Sequence, residues 1–141
     1  MKRNYKFVDD IYLVHGDHQL DLHNVYEFKW LEYSIADREL LLHWKSPSRA
    51  PASDANPRNL TVRFTEVIEF RFMPRDAELP FTEDDCVRTL GYWADEDWVE
   101  GIILLGPGEE PEPHWLTAIE FMSGAMIAVR AEAAEAKLTA A

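Results

Sequence analysis

Three of the chain's five histidines, His15, His18 and His23, fall within nine residues and alternate with Asp17 and Asp21. Imidazole and carboxylate are the groups that hold zinc and related divalent cations when three or four of them converge. The spacing is not that of a helical metal motif, because His15 and His18 would need a helical turn across Gly16. The five residues therefore carry two readings. One is a divalent-metal or small-ligand site, which would also admit an enzyme. The other is a polar loop between strands whose histidines are solvated or hydrogen-bonded.

A second group of chemically capable residues lies at Tyr92, Trp93, Asp95, Glu96, Asp97, Trp98 and Glu100. As a calcium loop it fails, since the sixth position, which needs glycine for a sharp turn, is Glu100, and the twelfth, which needs Glu, is Gly106. Adjacent exposed acids have no special fitness for general acid–base work. Aromatic rings bracketed by acids do recur at protein interfaces, where rings anchor and charges steer. These seven residues are accordingly the candidate partner-binding site, against the alternative that the tryptophans fill the core.

Cys86 is the only thiol, so an intrachain disulfide is impossible, and Asp84 and Asp85 beside it oppose formation of a reactive thiolate. No nucleophile elbow, phosphate-cradling glycine loop or dinucleotide fingerprint occurs. The residues name no catalytic set and imply no resident cofactor.

The charge distribution is more informative than its total. Residues 76–112 hold 12 acids against Arg88 alone, a net of −11 within a chain whose total is −12, whereas residues 1–75 hold 11 acids and 11 bases. Such a segment repels nucleic acid and anionic lipid and attracts a basic protein partner; its plainer reading is a solubilising face. The apolar stretch after Met1-Lys2-Arg3 is interrupted by Asp9 and Asp10, and the longest aliphatic run, 102–105, is far too short to span a bilayer. The expected location is the cytoplasm.

The elements that must position these residues are mostly strands. A chain of 141 residues suits one domain, 1–141. Tyr5–Val14 reads as one strand, followed by a turn at His15-Gly16-Asp17; Asn24–Ser34 and Glu39–Trp44 read as a hairpin, with Tyr26, Phe28 and Trp30 on one face. Residues 46–58, with three prolines, form a long loop. Two strands follow, Leu60–Phe64 and Val67–Phe72, and Trp98–Leu105 adds another. Phe81–Cys86 looks like a helix start: Thr82 as cap, Phe81 and Cys86 as staple, Gly91 as stop, giving one short helix near 83–90. The last hairpin is expected to pair Phe121 with Ile127 across a loop of Ser123–Ala125, setting Glu120 diagonal to Arg130. The alanine-rich tail at 132–141 is expected to fray or make a last helical turn. The sum is an α+β, mainly β, protein: an antiparallel sheet of about seven or eight strands, curved or in a sandwich, with one helix.

Several of these patterns recur together. Leu22-His23-Asn24 before an aromatic strand, the return strand 40–44, the Leu60–Phe64 strand and the closing 119–124 segment resemble the small β-rich bacterial domains that include immunity proteins of polymorphic toxin systems. The resemblance implies an inhibitor that binds a toxin domain; it transfers no binding residues. The resulting expectation is an acidic protein-interaction module, with the His15–His23 metal or ligand site and a structural homo-oligomer as alternatives.

Overall fold

The computed structural model describes residues 1–47, 57–94 and 101–140. Its core is one contiguous apolar cluster centred on Trp44, Phe64, Phe121, Leu13, Leu22 and Leu40, all fully buried. Among the described residues, ten strands surround it. In chain order they are β1 (Lys2–Arg3), β2 (Lys6–Val8), β3 (Tyr12–His15), β4 (His18–Asp21), β5 (Glu27–Ser34), β6 (Glu39–Lys45), β7 (Asn59–Met73), β8 (Val87–Trp93), β9 (Leu116–Phe121) and β10 (Met126–Thr139). The large sheet has the order β5-β6-β7-β10-β9-β8, all antiparallel, and β1 joins it by a short parallel pairing to β10. Strands β2, β3 and β4 form a separate three-stranded meander, and Leu13 and Leu22 carry it into the common core.

The sheet curls because its longest strands are bulged. β7 and β10 pair over nearly their whole lengths, with a register shift where Val67 and Ile68 face Ala131; just before it Glu66 sits at φ 51. A bulge bends its strand and increases the local twist. Arg38, also left-handed at φ 52, clamps this bend: its carbonyl accepts from Val67 N–H (2.9 Å) and its Nε donates to the Val67 carbonyl (3.3 Å). The two strands expected at Leu60–Phe64 and Val67–Phe72 are thus one strand running through a kink.

Several expectations need correction. The helix near 83–90 is instead a single 3-10 turn, Phe81–Asp85, with no side-chain cap, and Val87–Trp93 is strand β8. Val87, Thr89, Tyr92 and Trp93 are strand-favouring residues, and pairing with β9 outweighs the capping signal upstream. Phe81 does not staple; it is 81% exposed. The tail does not fray: β10 continues to Thr139, and Ala131, Ala134 and Ala136 are buried against the core. Alanine's helix propensity of under about 1 kcal/mol per residue yields to a thirteen-pair ladder with β7. Tyr5–Val14 is broken into β2 and β3 by Asp9 and Asp10 at φ 50 and 58, a left-handed conformation that Asp tolerates better than most residues. The strand expected at 98–105 begins among residues outside those described; of its described part, Ile103 makes one isolated bridge, to Tyr92.

The final hairpin pairs Ile119 with Ile127 and Phe121 with Ala125 across Met122-Ser123-Gly124. This register lies two residues from the expected one, so every side chain keeps its face. It also puts Gly124 at φ 87, the left-handed site at the end of a three-residue loop. Glu120 then lies near Arg88 (3.7 Å) rather than Arg130. The hairpin of β5 and β6 forms as expected, except that a bulge at Lys29 splits its aromatic face: Phe28 packs on Trp44, while Trp30 stacks on His43 on the outer side.

Candidate functional site

The His15–Asp21 segment forms a tight hairpin. His15 and His18 are direct cross-strand partners flanking Gly16-Asp17, with Gly16 at φ 59. Asp21, His15 and His23 are committed to hydrogen bonds of the fold. The Asp21 carboxylate accepts from the backbone N–H of His23 and Asn24 and from the Asn24 amide (2.8–3.0 Å), an Asx turn that ends β4. His15 Nδ1 donates to the Asn4 carbonyl at 2.8 Å, and His23 Nδ1 donates to the Val87 carbonyl at 2.6 Å. Among the described residues no three His, Cys, Asp or Glu side chains are grouped to hold a metal ion.

His23 also lies 3.3 Å from Cys86 Sγ. This is not an activated thiol–imidazole pair. A carbonyl can only accept, so the proton on Nδ1 belongs to the Val87 contact and that nitrogen has no lone pair for the thiol. The thiol instead donates to the His23 carbonyl at 3.3 Å. Burial, then Asp85 and Glu83, push the Cys86 thiol up, away from the thiolate. The pair ties the segment after β4 to the start of β8.

Of the aromatic and acidic candidates, Tyr92 is buried, its ring against Phe7 (5.8 Å) and beneath the Arg3 guanidinium (5.6 Å). It belongs to the core and not to a contact surface. Trp93 lies on the outer face of β8 with Arg71 over its ring at 4.8 Å. Asp95, Glu96, Asp97, Trp98 and Glu100 lie outside the described residues.

All but Glu112 of the described acids of 76–112 fall into two groups. Glu109 and Glu110 sit by the Gly106–Gly108 turn, where Glu110 pairs with Arg3 at 2.7 Å. Asp76, Glu78, Glu83, Asp84 and Asp85 gather around the 3-10 turn, beside an apolar groove of about 320 Å³ at the mouth of the curled sheet. Phe28 and Leu31 from β5, Phe72 from the end of β7 and Phe121 from the end of β9 form its floor, and Phe81 forms one wall. Phe28 and Phe121 meet at 4.9 Å across the opening, yet Phe72 remains 53% exposed.

The groove's charges are arranged asymmetrically. Arg75 is engaged three ways: its Nε donates to Asp84 (2.8 Å), its Nη2 to the Leu79 carbonyl (2.6 Å), and its guanidinium lies 4.6 Å from the Phe81 ring centroid. Lys29 pairs with Glu27 at 2.8 Å. The hydrogen bond from Arg75 holds the Asp84 carboxyl below its usual range. Asp85 behaves oppositely: burial and then Glu27 raise it, against the weaker attraction of Lys29. The groove is thus an apolar floor lined by two acids, Asp84 and Asp85, and by two bases already engaged, Arg75 and Lys29.

Sequence reasoning missed this groove. Phe28, Phe72, Phe81 and Phe121 are far apart in the chain, and only the curl unites them. The usable signal was Pro80-Phe81, an aromatic residue inside an acid-rich run. No helix of the described residues is long and apolar enough to cross a membrane. Comparison with protein-family models, with curated proteins and with solved structures finds no significant match to this chain.

Proposed function

We propose that this chain is an acidic protein-interaction module that docks a basic partner protein on the groove at the mouth of its sheet. The observation that carries this reading is the pair of exposed rings, Phe72 and Phe81, on an apolar groove bordered by acids whose nearby bases are engaged within the chain. Truncating rings that largely face solvent costs the free protein little, whereas the same rings anchor a partner when buried. Asp85, whose carboxyl is pushed up by burial and then by Glu27, gains from an incoming Lys or Arg. An inhibitor of the immunity type, neutralising a basic toxin domain, is the sharpest form of this reading. The same chemistry serves any basic partner.

The test is affinity capture from the lysate of the encoding organism, comparing the wild-type chain with Phe72→Ser/Phe81→Ser and with Asp84→Asn/Asp85→Asn. The expected result is a basic protein retained at about 0.1 M salt, where the screening length is about 10 Å, and released at about 1 M, where it is about 3 Å. Both double variants should lose it while remaining folded. Equal capture by all three chains, or retention independent of salt, refutes the groove as the docking site.

A further inference from the structure

The two ends of the large sheet are treated differently. β8 is covered along its outer edge: Leu90 N–H donates to the Asp10 carbonyl (2.6 Å), Tyr92 exchanges hydrogen bonds with Ile103 (3.0 and 2.6 Å), and His23 caps the Val87 carbonyl. β5 ends the strand order on the other side, and among the described residues its backbone hydrogen-bonds within the sheet to β6 alone. An edge strand presents a row of outward N–H and C=O groups that template another strand. This open edge borders the groove, because Phe28 and Leu31 belong to both.

Resting on the groove as the docking site, we infer that the partner binds as an extended segment, added as a further strand along β5, with apolar and basic residues alternating. The alternation follows from the faces of β5. Leu31 and Tyr33 stand opposite the buried Leu42 and Leu40, and Tyr33 stacks on Phe70 at 5.1 Å; these mark the inner face, continuous with the groove. Trp30 and Glu32 stand opposite His43 and Leu41 on the outer face. Side chains of an added strand alternate in the same way, so its inward residues meet the apolar floor and its outward ones meet Glu32 and the Trp30 ring. Each chain carries a net charge of −12, and two β5 edges would bring Glu27 and Glu32 together, so a second copy is disfavoured where a basic segment is favoured. The Lys29 bulge and the charges on the edge are what natural sheets use against indiscriminate pairing.

The probe is a blocked octapeptide of alternating lysine and valine, with the same peptide N-methylated at every residue as the control that keeps charge and side chains but cannot donate backbone hydrogen bonds. Affinity is read by calorimetry and backbone protection by amide hydrogen exchange followed residue by residue. The unmodified peptide should bind with an affinity that falls on raising salt and should slow exchange within residues 30–34, and methylation should weaken binding at least tenfold. Equal binding of the two peptides, or binding without protection of 30–34, overturns strand addition and leaves the groove reading standing. No binding of either peptide at millimolar concentration overturns both.

Discussion

Gly91 stands where a methyl group has no room, and the Gly91→Ala variant measures that directly. A Cβ there would lie 2.4 Å from Ile102 Cγ2 and 2.6 Å from the Ile103 carbonyl oxygen. The reason is a row of small residues across three strands: Gly91 pairs with Ala118, and Ala118 with Ala128, which leaves a flat outer face on which the 102–104 segment rests. The Ile102 side chain can turn away, but the carbonyl cannot move without breaking the two hydrogen bonds between Tyr92 and Ile103. Losing those costs about 1 kcal/mol each, less where water replaces them. Overpacking adds about 1–3 kcal/mol, while replacing a strand glycine returns about 0.5 kcal/mol. The net expectation is a loss of about 2–3 kcal/mol. In urea, with a slope of about 1.5 kcal/mol/M for a small protein, the midpoint falls by between about 1 and 2 M. The Tyr92 and Ile103 amides should also lose exchange protection. Adding Ile102→Ala should recover only part of the loss, because the carbonyl contact remains. A midpoint unchanged or raised in Gly91→Ala, or full rescue by Ile102→Ala, would show the close backbone approach to be wrong.

Ala134→Asp, which places a carboxylate at a buried site of β10, should cost more than about 3 kcal/mol or abolish folding, whereas Glu135→Ala next to it should stay within about 0.5 kcal/mol; comparable thermal melts for the two would contradict a paired tail. The neighbouring acids of the 3-10 turn should respond with opposite signs. Asp84 is held low by Arg75, so its contribution is present above the ordinary carboxylate value of 3.8 and lost as pH falls through the depressed folded value; Asp84→Asn should therefore destabilise at pH 7 by about 0.5 kcal/mol or less after solvent screening. Asp85 is raised by burial and Glu27, so its favourable contribution exists below that value and is lost as pH rises through the raised folded one; Asp85→Asn should stabilise at pH 7 and not at pH 3, and urea melts at the two pH values decide it. Cys86, pushed up by burial and then by Asp85, should react with iodoacetamide at pH 7.5 more slowly than a free thiol and faster in Asp85→Asn; a reaction as fast as that of a catalytic cysteine would revive the thiol–imidazole pair rejected on tautomer grounds.

Local patterns were legible where local rules decide. Alternating apolar residues in 39–44 and 60–64 placed β6 and the first half of β7, and Gly16 and Gly124 marked turns because only a left-handed site needs them there. Strand patterning pointed to a β-rich chain and the charge distribution to an acidic middle segment, and the aspartates beside Cys86 already argued against a reactive thiol. The capping signals at Thr82 and the alanines of 131–136 misled for one reason: propensities of under about 1 kcal/mol per residue are overruled when a segment finds a ladder, as β8 does with β9 and β10 with both β7 and β9. Gly91 read as a helix stop because its real constraint, the carbonyl of Ile103 lying against it, comes from a segment that only the folded sheet brings there. The groove is the extreme case. Its aromatic floor and wall join residues 28, 72, 81 and 121, each ordinary in its own strand or turn, and they meet because one extra residue at Ile68 and another at Lys29 curl the sheet until its mouth closes around them. Charge is a sum over residues, which a sequence contains in full; a concave site depends on register and curvature, which are decided only when the strands pair.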